Sequence, residues 1–219
     1  MKHFSTFLAI LLLITSCGNN EEIQIQAGKD VSEVTTVPKL FWRPTPFEKK
    51  LKGAVMVASL KGNVRVINLF ESNESDKNNA KPTTLKAGEI VLQGSTIVSG
   101  KNSEVDLLFT NGTSAKIGSN SKLTISAIWQ KDFQESKRKV ADINEETSPT
   151  RIDLDLNIGD LIVDVKKLKK ESSFRVKSPL GVAGIRGTQF RIFSENEKVE
   201  LSVLKGEVSF WDQKNEENE

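Results

Sequence analysis

The chain has 219 residues, of which 27% are charged and 37% hydrophobic, and its formal net charge is +2. This length predicts one domain with appendages, and the composition is typical of a soluble globular protein. Because the small net charge gives no strong field of the kind that attracts polyanions, we expect no nucleic-acid partner.

The N-terminus resembles a bacterial lipoprotein signal. Lys2 supplies a positive start, and the apolar run over residues 4–14 is too short to span a bilayer. The run leads into Ile14-Thr15-Ser16-Cys17, which is similar to a lipobox, where small residues precede an acylated cysteine. The alternative is an ordinary secretory signal with an incidental cysteine. We favour a signal peptide over residues 1–16 and lipidation of Cys17, and the resemblance implies three acyl chains, palmitate among them.

Cleavage before Cys17 also limits which catalytic and metal-binding side chains the mature protein has. His3 is the only histidine and leaves with the signal peptide, while the only cysteine becomes the anchor. No Ser-His-Asp or Cys-His constellation and no His/Cys zinc site can then form. We therefore expect a non-enzymatic protein without metal or cofactor, anchored in the bacterial cell envelope. The sequence leaves open whether it sits in the inner or outer membrane and on the periplasmic or surface face.

Residues 17–50 are predicted to be a flexible tether. The segment begins polar and then carries three prolines around the pair Phe41-Trp42. This composition is typical of a linker between an anchor and a folded domain. Phe41 and Trp42 either dock back on the domain or form a short recognition segment, and we favour docking.

From Leu51 onward the pattern is that of β-strands. Apolar and polar residues alternate over 104–109 and 152–158, and a second alternating run follows a break at Gly159-Asp160. A period of two indicates strands with one buried face. Asn111-Gly112 between apolar runs is a hairpin signal. We predict an all-β fold of short twisted strands in two stacked halves, as a sandwich or solenoid.

Three shorter patterns refine this organisation. Leu-Lys-Gly-x-Val recurs at residues 51–55, 60–64 and 204–208, which favours two similar β halves. Residues 127–150 are charged and lack alternation, and the spacing of their apolar residues is compatible with a short helix in an insertion between the halves. Residues 212–219 form an acidic tail after the β domain at 51–211.

Two charged stretches are candidate binding sites. Asp153-Leu154-Asp155-Leu156-Asn157 mimics the start of a calcium loop but has Ile158 where that loop needs glycine, so we interpret it as a strand with an acidic wet face. The basic run over residues 166–170 is interpreted as a solvated hairpin tip, with contact to anionic lipid as the alternative.

The most distinctive stretch runs from Ser178 to Phe190, with a glycine at every third position over residues 181–187. A nucleotide loop is the alternative to a packing role. The Walker pattern ends in Gly-Lys-Ser/Thr, whereas here Gly187 is followed directly by Thr188. The dinucleotide fingerprint opens a helix, whereas here a β-like run follows. We interpret the glycines as positions where strands cross closely.

Gly184-Ile185-Arg186-Gly187-Thr188-Gln189-Phe190, followed by the Val-Leu-Lys-Gly-Glu-Val run over residues 203–208, resembles the core motif of FecR-type domains. The turn over residues 109–113 is similar to one in the family's opening half. The resemblance spans most of residues 51–211 and implies a FecR-like β domain. For Arg186 a ligand contact is the alternative to a structural role. The motif residues that we interpret as structural are Gly181, Gly184, Arg186, Gly187, Thr188, Phe190 and Gly206.

These features lead to three functional hypotheses. We favour a non-catalytic, lipid-anchored envelope protein whose FecR-like domain binds a protein or other envelope component. The second hypothesis is an accessory sensor, because FecR proteins relay signals from an outer-membrane transporter to a sigma factor. They do so through a cytoplasmic anti-sigma segment and a membrane helix, and a lipobox stands here instead. The third is a protein directed at peptidoglycan or another glycan.

Overall fold

The computed structural model describes residues 53–68, 81–131, 143–196 and 198–211, together with the backbone of short strands at 10–14, 23–26, 35–36 and 51–52. Within these residues the protein is all-β, which confirms the predicted fold class. None of the described residues belongs to a helix that is long and apolar enough to cross a membrane. The strands are β1 (Ile10–Ile14), β2 (Ile23–Gln26), β3 (Thr35–Thr36), β4 (Leu51–Lys52), β5 (Val55–Lys61), β6 (Val64–Asn68), β7 (Thr83–Thr84), β8 (Ile90–Val91), β9 (Ser95–Ser99), β10 (Glu104–Phe109), β11 (Ser114–Ile117), β12 (Lys122–Gln130), β13 (Thr150–Asp164), β14 (Ser173–Ser178), β15 (Gly181–Ile185), β16 (Gln189–Glu195), β17 (Lys198–Lys205) and β18 (Glu207–Trp211).

The strands pair into two connected sheets. The first sheet has the order β8, β5, β10, β11, β13, β16, β17, β1, and its neighbours are antiparallel. The second sheet has the order β7, β6, β9, β12, β13, β14, β15, β18, β2, β3, and β4 pairs with the end of β12. Within the second sheet β13 and β14 run parallel. The predicted hairpin at Asn111-Gly112 connects β10 and β11.

The long strand β13 belongs to both sheets and bends between them at Gly159. Residues up to Ile158 pair with the second sheet, and residues from Gly159 onward pair with the first. Gly159 has a φ of 107°, and a Cβ there would lie 2.4 Å from the Cα of Ser121. Glycine alone adopts such a backbone at such a close approach. The predicted break at Gly159-Asp160 is therefore a bend within one strand.

The repeated Leu-Lys-Gly-x-Val sequences mark corners of the fold. At residues 60–64 and again at 204–208, the chain leaves the first sheet and enters the second. Gly62 and Gly206 have φ values of 80° and 92° at these corners, where a residue with a Cβ is strained. The third copy, at residues 51–55, leads from β4 in the second sheet to β5 in the first. The internal similarity in the sequence thus reflects corners at which the chain passes between the two sheets.

The core lies between the inner faces of the two sheets and is built from the alternating apolar residues that the sequence predicted. Phe109 and Phe174 meet edge to face, with ring centroids 6.2 Å apart, and both are buried. Such a pair contributes about 0.5–1.5 kcal/mol beyond its area burial. Other large fully buried side chains include Phe190, Ile97, Leu107, Ile117, Leu123, Ile125, Ile128, Ile152, Leu154 and Leu156.

The segments between the predicted elements differ from the sequence analysis at two places. Strand β12 continues to Gln130, four residues into the predicted insertion, because Ile128 points into the core and Trp129 pairs with Arg151. Helical spacing therefore does not apply to Trp129, and residues 143–150, including Ile143, are not helical either. The rest of the predicted helix falls on 132–142, outside the described residues. The predicted tether contributes β2 to the edge of β18 and β3 to β2.

Candidate functional site

The glycine stretch forms β15 and its flanking turns, deep in the second sheet. A Cβ on Gly181 would lie 2.4 Å from the carbonyl oxygen of Trp211 and 2.7 Å from the ring of Phe210. Gly184 is in register with Arg175 on one side and Ser209 on the other. Strand β18 therefore passes so close to β15 at Gly181 that no side chain would fit there.

Gly187, Thr188 and Gly206 join two chain corners. The Thr188 hydroxyl donates to the carbonyl oxygen of Glu207 at 2.7 Å and accepts from the Glu207 amide at 3.3 Å. Gly187 has a φ of 66°, and a Cβ on Gly206 would lie 2.9 Å from the Thr188 hydroxyl oxygen. The carbonyl of Thr188 accepts from the amide of Val165 at 3.0 Å. This cluster fixes the turn before β16 against the turn before β18.

The two remaining motif residues contact the protein itself. Phe190 is fully buried in the core. Arg186 is half-buried, and its Nη2 donates to the carbonyl oxygen of Lys170 at 3.2 Å. The structure thus brings the motif residues of β15, β16 and the β17–β18 corner together, whereas Cys17 lies outside the described residues.

Glu146 is the centre of a buried polar cluster that the sequence analysis missed. Its carboxylate accepts hydrogen bonds from the Thr150 hydroxyl at 2.7 Å, from the Lys169 amide at 2.6 Å and from the Ser172 hydroxyl. Burial raises the pKa of Glu146, and these hydrogen bonds oppose the increase. The cluster holds the basic run against residues 143–148. The predicted hairpin tip is wrong, because the run connects the parallel strands β13 and β14, although Lys167 and Lys170 are exposed as predicted. Glu145 adds ion pairs with Lys167 and Lys169.

Asp153 lies between two arginines on the outer side of the second sheet. Its two carboxylate oxygens accept from Arg151 Nε at 2.8 Å and from Arg175 Nε at 2.7 Å. Burial by itself raises the pKa of Asp153, but the hydrogen bonds and charges of the two arginines outweigh it and lower that pKa. The predicted strand over residues 153–157 is confirmed. Its acidic face was predicted to be exposed to solvent, but Asp153 is only 9% exposed.

The described residues form an apolar groove of about 490 Å³ on the outer face of the first sheet. We call it the outer groove. Its lining residues come from the six strands β5, β10, β11, β13, β16 and β17, and among them are Ala58, Leu108, Ser114, Lys116, Ile162 and Leu204. Ile162 and Leu204 are 42% and 49% exposed, so the groove leaves two large aliphatic side chains accessible to a partner.

The groove follows from a bulge and from small side chains in the outward positions. Ser59 pairs with Asp106 and Val57 pairs with Leu107, so Ala58 is the extra residue of a β-bulge in β5. Ser114 lies opposite Leu108 on β10 and opposite Asp164 on β13. Small residues at Ala58 and Ser114 leave room between the larger aliphatic side chains on either side.

An apolar strip continues from the groove across the neighbouring strands. Met56 pairs with Leu108 on one side and with Ile90 on the other, so the three side chains share the outer face. Met56 and Ile90 are 38% and 55% exposed. Contiguous exposed aliphatic residues of this kind indicate an interaction surface more often than scattered ones do.

The charged groups at the rim of the groove are paired with each other. Lys116 Nζ lies 3.6 Å from Glu104 and 3.4 Å from Asp106, and Lys166 Nζ lies 3.5 Å from Asp164. The groove therefore presents an aliphatic floor with a nearly neutral rim. No group of three or more His, Cys, Asp or Glu side chains in the described part of the chain is arranged to hold a metal ion.

An all-β domain of two connected sheets, with a glycine-rich strand fixed by a Gly-Thr corner, defines the class of this protein. The family model described as FecR protein matches residues 95–209, which is more than half of the chain. The chain belongs to the FecR family, as its motif predicted. No curated protein and no solved structure matches it. Strands β5 and β6 precede the matched range but pair with β10 and β9 inside it.

Proposed function

We propose that this FecR-family protein is a non-catalytic, lipid-anchored component of the bacterial cell envelope, and that its outer groove binds an apolar segment of another envelope protein. The FecR domain suggests a role in envelope signalling or regulation. Such a role requires recognition of a partner rather than turnover of a substrate.

The observation that carries the proposal is the outer groove with its apolar strip. Ile162 and Leu204 remain exposed at 42% and 49% although the same strands bury their other face completely. Covering these side chains gains roughly 25 cal/mol for each Å² of apolar surface removed from water. An aliphatic segment, extended or helical, fits a groove with a neutral rim. Neither the segment nor the rim carries an unpaired charge that binding would remove from water.

The same lining argues against the glycan hypothesis. Sugar-binding sites stack rings on aromatic side chains, and the aromatic residue that lines this groove, Phe190, is fully buried and belongs to the core. Protein segments with aliphatic side chains are therefore the better match for the outer groove.

Anchoring is proposed from the sequence around Cys17. A single acyl chain binds a membrane only marginally, at about 0.8 kcal/mol for each buried CH₂, so several chains on Cys17 are needed for stable attachment. The anchor places the domain at a membrane surface of the envelope, where it encounters envelope proteins.

Photo-crosslinking tests the groove directly. A photoreactive amino acid replaces Ser114, an exposed lining residue, in the lipidated protein, and a second variant carries it at Ile158, which is 40% exposed but does not line the groove. We expect a defined crosslinked envelope protein from position 114 and none from position 158. The same pattern from both positions, or no defined product from position 114, contradicts the proposal.

The second candidate function is an accessory role in transmembrane signalling, which the family membership favours. This role predicts a change in transcript profile when the outer groove is blocked by Ile162→Lys. The profile of the Ile158→Lys variant is the matched control, since both residues lie on β13 with similar exposure.

A further inference from the structure

The edge of β17 is covered by a strand that processing removes. Residues Ile10–Ile14 pair antiparallel with Val199–Val203, with Leu12 opposite Leu201. The other side of β17 pairs with β16 over residues 198–205, with a bulge at Leu204. Under the proposed function residues 1–16 are excised, so β17 becomes the free edge of the first sheet. This inference therefore rests on the lipoprotein proposal.

The exposed edge has the length and the apolar inward face that another strand needs, although Lys198, Glu200, Lys205 and the bulge at Leu204 protect it in part. It is eight residues long and contains no proline. Its inward residues Val199, Leu201 and Val203 are at most 3% exposed with β1 in place. Removing β1 leaves these residues next to a row of unpaired backbone groups, which is a template for another strand.

A second copy of β17 reproduces the pattern of β1 at this edge. If a two-fold axis passes through Leu201, then Leu201 lies opposite the Leu201 of the second copy, and Val199 lies opposite its Val203. The positions that Ile10, Leu12 and Ile14 hold in the register with β17 are then taken by Val199, Leu201 and Val203 of the second copy. Apolar residues again occupy every position opposite the inward side of β17.

The outward positions of the same register are also compatible. Glu200 lies opposite Ser202 of the second copy, and Lys198 lies opposite its Leu204, so no like charges face each other directly. Glu200 forms an ion pair with Lys198 of its own chain, which reduces repulsion across the axis. If the two-fold axis passed through Glu200 instead, the two Glu200 side chains would lie opposite each other. Repulsion between their carboxylates disfavours that register.

We propose that the processed protein forms a two-fold homodimer on the membrane through antiparallel β17–β17 pairing centred on Leu201. Pairing along one strand buries less area than the roughly 1,200 Å² of a stable standard interface. The dimer is therefore weak in solution, and tethering to a membrane supplies the effective concentration that it needs.

Disulfide trapping in membranes tests the register. Cells produce two tagged copies of the full chain, one with Glu200→Cys and one with Ser202→Cys, and the lipidated Cys17 offers no competing thiol. Opposite residues in antiparallel strands have Cα atoms about 4.5–5.5 Å apart, within the range that a disulfide bridges. We expect a mixed disulfide dimer on oxidation, and a much weaker one when Lys198→Cys replaces Glu200→Cys.

A charge pair provides the second measurement. Ser202→Lys sets a lysine opposite Glu200 twice and should tighten the dimer, and Ser202→Glu should weaken it, each by about two- to thirty-fold in Kd. Within one chain Ser202 pairs with Arg191, so the effects of these variants on folding should run in the opposite direction.

The outcomes separate the two proposals. The mass of the N-terminus first reports whether residues 1–16 are removed, and an unprocessed chain contradicts the lipoprotein proposal. A processed chain that gives only monomer, equal crosslinking from position 198, or a product with a different protein overturns the homodimer while leaving lipidation standing. A mixed dimer whose Kd follows the two Ser202 variants supports it.

Discussion

The hydroxyl of Thr188 bridges two corners of the protein, because it donates to the carbonyl oxygen of Glu207 at 2.7 Å and accepts from the amide of the same residue. Thr188 is 1% exposed, so no water replaces the hydroxyl if it is lost. Gly187-Thr188, the most distinctive pair of residues in the sequence, therefore stabilises the fold.

Replacing this hydroxyl should destabilise the protein. Thr188→Val keeps the shape but leaves the backbone groups of Glu207 without their partner, at a cost of about 1–3 kcal/mol in the free energy of unfolding. Thr188→Ser keeps the hydroxyl and loses one methyl group, at about 1 kcal/mol. Denaturant unfolding measures both, and a valine variant as stable as the serine variant would show that the bridge contributes nothing.

Gly159 should be the least replaceable glycine of the described residues. Gly159→Ala adds a Cβ 2.4 Å from the Cα of Ser121 at a φ of 107°, so backbone must move and we expect a loss above roughly 3 kcal/mol or no folding. Gly88→Ala is the matched control, because φ is +84° there but nothing lies within 4 Å of the added Cβ. Its expected cost is about 1–2 kcal/mol. Equal thermal shifts for the two variants would contradict the bend in β13.

The pKa of Glu146 predicts how one carboxyl group contributes to stability. A pKa raised in the folded state means that the native protein binds this proton more tightly than the unfolded chain does. The stability that this group contributes is therefore complete below its unfolded pKa and is lost as pH rises through the folded pKa. Glu146→Gln removes the dependence.

The measurement is the difference in unfolding free energy between the parent protein and Glu146→Gln across pH 4 to 8, so that other groups cancel. The parent should lose about 1.4 kcal/mol relative to the variant for each unit by which the pKa is raised. A difference that stays constant, or that grows in favour of the parent as pH rises, would refute the assignment.

Asp153 should show the opposite pH dependence. Its pKa is lowered in the folded state, so its contribution is present above the unfolded pKa and is lost as pH falls through the folded pKa. Asp153→Asn should cost about 1–3 kcal/mol near pH 7, because two half-buried arginines lose their partner, and much less at strongly acid pH. A variant that is equally destabilised at both pH values would show that packing, rather than charge, explains the effect.

Alternation of apolar and polar residues was sufficient to predict the fold class and most strands, because a period of two places one face of each strand in the core. Alternation was not sufficient to predict the bend at Gly159. A glycine followed by an aspartate occurs both in turns and in bent strands, so the sequence does not distinguish the two. The bend depends on the contact with Ser121, which is remote in sequence.

The family motif could also be predicted from the sequence, because Gly187-Thr188 and Gly206 have residue types that few other positions require.

The outer groove could not be predicted from the sequence. Ala58, Leu108, Ile162 and Leu204 lie far apart in the chain, and only the pairing of β5, β10, β11, β13, β16 and β17 brings them together. Glu146 was missed for the same reason, since its partners Lys169 and Ser172 come from a later connection.

The central claim is that the outer groove binds an envelope protein, and the sharpest test compares Ile162→Lys with Ile158→Lys in the lipidated full chain. In each variant a photoreactive amino acid replaces Ser114, and the amount of crosslinked envelope protein is measured after purification from membranes. We predict a loss of at least about tenfold for Ile162→Lys, as expected for burying an unpaired charge in an apolar site, and no loss for Ile158→Lys. Equal recovery of the partner by both variants would contradict the claim.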